Sequence, residues 1–232
     1  MGWPLTEAET EALWLSLKVS FWSVGLSLPL AILLGWFLAR FRFRGKTLFE
    51  SILHLPLVLP PVVTGYLLLV AFGRHGIIGA WLYDFFGFSF AFRWTGAALA
   101  SAIMGFPLME RAIELSAESV DPKLEQAAAT LGAGRWRVFR TVTLPLMFPG
   151  ILTGAVLSFG RSLGEFGATI TFVSNIPGET RTLPLAIYTE TQVPGGDEAA
   201  ARLVAVSILL SVAALIAAEV LARRAKRRLH GA

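Results

Sequence analysis

The sequence predicts an all-α polytopic membrane protein. Three observations carry that reading: an apolar composition, five apolar stretches of membrane-spanning length, and an alternation of basic and nearly uncharged loops. The 232 residues are 55% hydrophobic and 16% charged, with a mean hydropathy of +0.64, whereas soluble domains carry about 25% charged residues. With no cysteine in the chain, disulfides, thiolate metal sites, iron–sulfur clusters and cysteine nucleophiles are excluded. His54, His75 and His230 lie too far apart to form a ligand motif, so no cofactor or metal is expected. The net charge of +4 comes from residues beside apolar stretches, not from one basic face interleaved with aromatics, so nucleic acid is not an expected partner. Lipid is.

A hydrocarbon layer of about 30 Å needs roughly 20 apolar residues per helix. Five stretches meet this, near residues 13–39, 51–73, 94–115, 149–173 and 200–222. Arg40, Arg42, Arg44 and Lys46 follow the first, Lys123, Arg135, Arg137 and Arg140 the third, and Arg223, Arg224, Lys226, Arg227 and Arg228 the fifth. The other loops hold only Arg74 and Arg93, then Arg181 and Arg202. The positive-inside rule therefore places the N-terminus outside and the C-terminus in the cytoplasm. The opening "MGWPLTEAETEALWLSLK" has three glutamates and no early basic cluster, the reverse of a signal peptide, and is expected to be retained. Lys18, near the outer end of the first span, is expected to snorkel to the interface.

Span two, "SILHLPLVLPPVVTGYLLLVAF", contains Pro56, Pro60 and Pro61, each of which removes a backbone donor. The freed carbonyls must face protein or a hydrated cavity, so Pro60, Pro61 and Thr64 belong either to a kinked bundle helix or to the wall of a substrate pathway. Span three carries the small residues Gly96, Ala97, Ala98, Ala100, Ser101 and Ala102, a pattern of close helix packing. Glu110, Glu114 and Glu118 follow at intervals of four and read as a solvated face of a cytoplasmic extension, with Arg111 able to pair with Glu114. Span four, "GILTGAVLSFGRSLGEFGATITFVSN", places Arg161 and Glu165 on one helical face, with Arg161 roughly 18 Å beyond Pro149. Two ionisable groups at that depth must pair or reach water. They form either a packing ion pair or, with Ser162, Thr169 and Thr171, a polar translocation path.

The cytoplasmic loop of residues 116–148 contains a self-capped helix in "SVDPKLEQAAATLGAG": Asp121 as N-cap, Pro122 at the first helical position and Gly132 as the stop. Leu124 and Leu131, seven apart, share a face that a partner can bury. The basic, aromatic "RWRVFRTVTLP" follows, and Pro145 and Pro149 are expected to direct the chain back into the bilayer.

The run "QAAATLGAGRWRVFRTVTLPLMFPGI" resembles the permease signature of bacterial ABC importers, E-A-A, three residues, G, nine residues, I-x-L-P. Aligned on Gly132, it opens on Gln126, Ala127 and Ala128 and closes on Val142, Leu144 and Pro145. Gln126 stands where the family has glutamate, with Glu125 one residue earlier, and Val142 replaces isoleucine. "LHLPLVLPPVVTGYLLL" and "FGRSLGEFGATITFVSNIPGETRTLPLAIYT" extend the resemblance over nearly the whole chain, to the molybdate permeases within the molybdate/tungstate/sulfate group.

The resemblance implies a single permease domain over residues 1–232 with the type I importer fold, paired as a homodimer in the bacterial inner membrane. It implies two cytoplasmic ATPase subunits, met by Leu124, Glu125, Gln126, Ala127, Ala128, Leu131, Gly132, Leu144 and Pro145, and an extracytoplasmic molybdate-binding protein. No phosphate-binding G-x-x-x-x-G-K-[ST] occurs in the chain, so a transport subunit and not an enzyme is expected, with no catalytic residues. Sulfate, thiosulfate or tungstate remain alternative substrates, and a secondary transporter or channel using Arg161 and Glu165 is the alternative class.

The orientation is testable on the cysteine-free background: single cysteines at Gly45 and Gly231 should react only with reagents reaching the cytoplasmic side, and one at Gly196 only from outside. The reverse labelling would refute the five-span topology.

Overall fold

The computed structural model describes residues 5–230, with side chains except at position 218 and positions 221–230. The basic tail residues Arg223 to Arg228 invoked for orientation therefore have side chains outside the described set.

Helix α1 (Glu7–Arg40) starts in a capping box: the Glu9 amide donates to Thr6 Oγ1, and the Thr6 amide donates to Glu9 Oε2 at 2.7 Å. Lys18 folds back onto an aromatic ring of the protein. Its Nζ lies 3.7 Å from the centre of the Trp94 ring, a cation–π contact that holds the charge near the interface without full hydration.

The second span is two helices, α2 (Lys46–Val58) and α3 (Pro61–Phe72), meeting at 111°. The cause is local: each proline forces the residue before it out of the helical region, and Leu59 and Pro60 are both extended. Pro61 then opens α3 at the one place where a missing N–H is harmless. The sequence foretells a kink; two consecutive prolines produce a complete break.

A short apolar helix, α4 (Ile77–Phe86), precedes α5 (Trp94–Glu118). Helix α5 is the most heavily packed element, lying along much of its length against α1 and α8, which also touch each other. Glu110 and Glu114 are 0% and 1% exposed, which corrects the expectation of a solvated acidic face at these two positions, while Glu118, at the end of the helix, is exposed as expected. Periodicity shows only that these carboxylates share a face, and that face meets α1 and α2. The Arg111–Glu114 pair forms, at 2.5 Å.

After α6 (Pro122–Thr130), a short helix, α7 (Arg135–Val138), runs through a π-helical turn (Phe139–Thr143) into α8 (Leu144–Leu163) without a break. Pro145 and Pro149 thus do not turn the chain, and the expected loop ends near residue 134. The widened turn, in which the Leu144 amide donates to Phe139 O, absorbs the donor that Pro145 cannot supply. Span four breaks at Gly164–Phe166 and resumes as α9 (Gly167–Val173). Helix α10 (Leu183–Thr191) and the long α11 (Asp197–His230) complete the fold, with the Leu183 amide donating to Ser16 Oγ of α1 at 2.6 Å.

By length and composition, α1, the Arg135–Leu163 run and α11 to Ala217 can each cross a membrane, and the bent α2–α3 pair makes a fourth. Helix α5 is less apolar because protein covers it. A helix shielded from lipid needs small residues for close packing more than it needs hydrophobicity.

The two broken spans meet at their breaks. A Cβ on Gly65 of α3 would stand 2.5 Å from Ala168 O of α9, and one on Gly167 would stand 2.7 Å from Pro61 Cβ. Backbone therefore lies on backbone, and Gly65→Ala should destabilise the folded protein by about 1–3 kcal/mol, read as a lower Tm in detergent. Gly134→Ala, with open space at its Cβ, should leave Tm unchanged. Equal Tm values for both variants would refute the close α3–α9 contact.

Candidate coupling surface and translocation pathway

Helix α6 is set by its own caps. Asp121 accepts from the Lys123 amide at 2.9 Å and Pro122 occupies the first turn. At the other end Gly132 adopts φ +84°, and the Ala133 amide donates back to Ala128 O at 3.2 Å, closing the helix in the left-handed manner glycine permits. No side chain of α6 is buried. Leu124 is 49% exposed and Leu131 88% exposed, and Trp136 of α7 is 71% exposed. Gln126 and Ala127 are exposed and Ala128 is half-buried. With Arg135, Arg137 and Arg140 also exposed, this end of the protomer presents apolar side chains among cations, a surface fitted to a protein partner.

Two of the expected coupling residues, Glu125 and Leu144, are also in contact with the body of the protein. Glu125 turns inward, its Oε1 accepting from Arg40 Nη2 at 3.0 Å and from Thr143 Oγ1 at 2.6 Å. Leu144 is half-buried, packed beside the Met147 cluster, and Pro145 is exposed on the first turn of α8.

The expected pathway residues divide likewise. Pro60 is exposed at the break and Pro61 packs on Gly167. Thr64, Ser162 and Thr169 are buried, and the Thr64 and Ser162 hydroxyls have no partner within the protomer. Thr171 is satisfied by its own helix, donating to Gly167 O at 2.9 Å. Arg161 and Glu165 form an ion pair at 2.5 Å, with Glu165 buried and the Arg161 side chain 27% exposed. The second carboxylate oxygen of Glu165 accepts from the Ala168 amide at 2.8 Å, so this side chain both neutralises the arginine and caps α9.

A cluster absent from the sequence expectations ties α2 to α5. His54 Nε2 lies 3.0 Å from Glu110 Oε2, and Lys46 Nζ lies 3.8 Å from Glu114 Oε1. Beside them a cavity of about 900 Å³ is lined by Thr47, Glu50, Ser51, His54 and Arg111 and by apolar side chains of α2, α5 and α8. The signal was present in the sequence as a histidine within an apolar span and two carboxylates one turn apart. Only the fold brings them together.

Removing either Arg161 or Glu165 strands the other charge and should destabilise the protein by about 3–5 kcal/mol, while Arg161→Gln with Glu165→Gln should be far milder. Thermal or denaturant unfolding of the four proteins checks this. Additive losses in the double variant would show that the two charges do not serve each other.

Comparison with known proteins follows from this geometry. Residues 31–227 match the family described as binding-protein-dependent transport system inner membrane component. The chain is 63% identical over 224 residues to the molybdenum transport system permease protein ModB of Escherichia coli K12, covering 97% of this chain and 98% of that one. It is 59% identical over 221 residues to ModB of Haemophilus influenzae, covering 95% and 96%. Among solved structures, a bacterial ABC transporter that imports the acidic polysaccharide alginate superposes with a TM-score of 0.71 at 20% identity, over 94% of this chain and 80% of that one. An exposed, self-capped helix before a long apolar helix, in a chain matched along almost its whole length by permease sequences, has one assignment: the chain belongs to the family of inner-membrane components of binding-protein-dependent transport systems.

Proposed function

We propose that the chain is the membrane subunit of an ATP-driven importer of molybdate. The observation that carries this reading is α6, a rigid helix that buries none of its own side chains and leaves Leu131 almost fully exposed. Such a helix has no use in an isolated protomer and suits a groove on a cytoplasmic ATPase. Molybdate is the substrate favoured by the near-full-length identity to molybdenum permeases, with tungstate and sulfate as competing oxyanions of the same shape. ATP is hydrolysed by the partner, since this chain lacks a phosphate-binding loop of its own.

In this reading the chain spans the inner membrane five times, with the N-terminus outside and the C-terminus inside, and works as a homodimer with two ATPase subunits and an extracytoplasmic binding protein. The exposed apolar side chains of α2 and α3, such as Val58, Val63 and Tyr66, face the second copy or lipid. The anion passes near Pro60, Pro61, Thr64, Ser162 and Thr169, where unpartnered hydroxyls offer weak, exchangeable donors. Arg161 is held back from the anion by Glu165, because a bare guanidinium there would bind a dianion too tightly to release it.

Alternating access then needs one part of the protomer to move against another. Helices α3 and α9 move as one body, because their backbones are in contact at Gly65 and Ala168. Helix α2, with no buried side chain, swings separately about Leu59–Pro60, held to α5 through His54–Glu110 and Lys46–Glu114.

The test is uptake by proteoliposomes containing this chain, the ATPase and the binding protein, with molybdate, tungstate and sulfate in competition. ATP-dependent molybdate entry, outcompeted by tungstate and poorly by sulfate, is the expected result. Leu131→Asp should abolish ATPase retention and uptake while leaving Tm unchanged, since Leu131 is 88% exposed. Uptake driven by a proton gradient without ATP would assign the chain to the secondary transporters instead.

A further inference from the structure

The nine-residue α6 is joined to its neighbours by short links and ends on a left-handed glycine. With none of its side chains buried, little in its own packing prevents it from tilting. One carboxylate supplies what packing does not. Glu125 Oε1 accepts from Arg40 Nη2 at 3.0 Å and from Thr143 Oγ1 at 2.6 Å, and the same Arg40 nitrogen donates to Val120 O at 3.1 Å. The Arg40 and Glu125 side chains are only 16% and 21% exposed, and Thr143 is 1% exposed. These are charge-assisted hydrogen bonds partly withdrawn from water, stronger than an exposed surface pair.

Arg40 is the last residue of α1, and Thr143 closes the π-helical turn that leads into α8. One turn before Arg40, Trp36 packs on Phe139 of that same turn with ring centres 5.0 Å apart. Helix α6 is thereby fastened to α1 and to α8, which pack against α5 and against each other.

We infer that Glu125 is a positioning residue, braced by Arg40 and Thr143, that makes α1 part of the path by which displacement of α6 reaches the membrane. The inference rests on the reading of α6 as the ATPase contact. Without the brace, α6 pulls on α5 and α8 only through its flanking links, and part of any displacement is lost in bending at Gly132. With it, α1 and α8 move together around α5. The brace also accounts for the departure at the signature: the acid lies at position 125, turned inward, and Gln126 takes the exposed position beside it.

Two measurements on the same proteins test this. The first is amide hydrogen exchange over residues 124–131 in the permease without its ATPase. Arg40→Gln and Thr143→Val should each speed exchange by about tenfold, and Arg40→Lys and Thr143→Ser should stay close to the unmodified protein. The second is the number of anions imported per ATP hydrolysed in the assembled transporter, which should fall several-fold in Arg40→Gln and Thr143→Val while ATPase retention stays the same, and recover in the two conservative variants. A role in folding alone would lower the yield of transporter without changing that ratio.

Unchanged exchange in both disruptive variants would overturn the brace, and faster exchange with an unchanged transport ratio would overturn its part in carrying displacement to α1. If the unmodified complex fails to couple ATP to uptake, the ATPase reading falls. The exchange measurement, which needs no ATPase, still decides whether the brace exists.

Discussion

A polypeptide in lipid must satisfy every backbone donor and acceptor from within, and this protein breaks two of its spans all the same. Glu165 is the side chain on which that depends in span four. Its carboxylate takes one hydrogen bond from the first turn of α9 and forms an ion pair with Arg161 one turn earlier on α8, so the helix can stop and restart without leaving a stranded charge. The broken end of span two is treated differently. Proline at the first position of α3 removes a donor that would otherwise need a partner. The start of α3 and the start of α9 then lie against each other through Gly65, Ala168, Pro61 and Gly167.

From that junction the division of labour in the protomer follows. Helices α1, α5 and α8 form the tightly packed frame, with Met109, Ile113, Met147 and Ile151 in its core. A Cβ on Gly154 would stand only 2.7 Å from Met109 O, a separation that transmits displacement without slack. Helix α2 lies outside the frame, attached to it chiefly by ionic contacts across a cavity. At one end the frame carries α6, and its π-helical turn brings Thr143 and Phe139 to the points where α6 and α1 are fastened.

What the sequence revealed was local. Asp121, Pro122 and Gly132 state the limits of α6 because caps depend on residues a few positions apart, and Arg161 and Glu165 share a face by helical geometry alone. The signature run pointed to the family by resemblance, through the spacing of Gln126, Ala127, Ala128, Gly132, Val142, Leu144 and Pro145. What it could not reveal was who packs against whom. Glu110 and Glu114 look like a wet face until α1 and α2 cover them, the contact of Lys18 with Trp94 joins two helices far apart in the sequence, and nothing near Glu125 in the sequence points to Arg40, 85 positions away. The π-helical turn was invisible for a related reason: Pro145 predicts a disturbance in the chain, and the surrounding packing selects a widened turn over a sharp one.

The central claim is that α3 and α9 travel as one body while α2 moves against the frame. Pulsed electron resonance distances between spin labels on the cysteine-free background test it directly, one pair spanning α3 and α9 and another spanning α2 and α5. Measurements belong in the assembled transporter, with and without trapped nucleotide. The account predicts an unchanged α3–α9 distance and a clear shift in the α2–α5 distance on nucleotide trapping. A shift between α3 and α9 as large as that between α2 and α5 would contradict it.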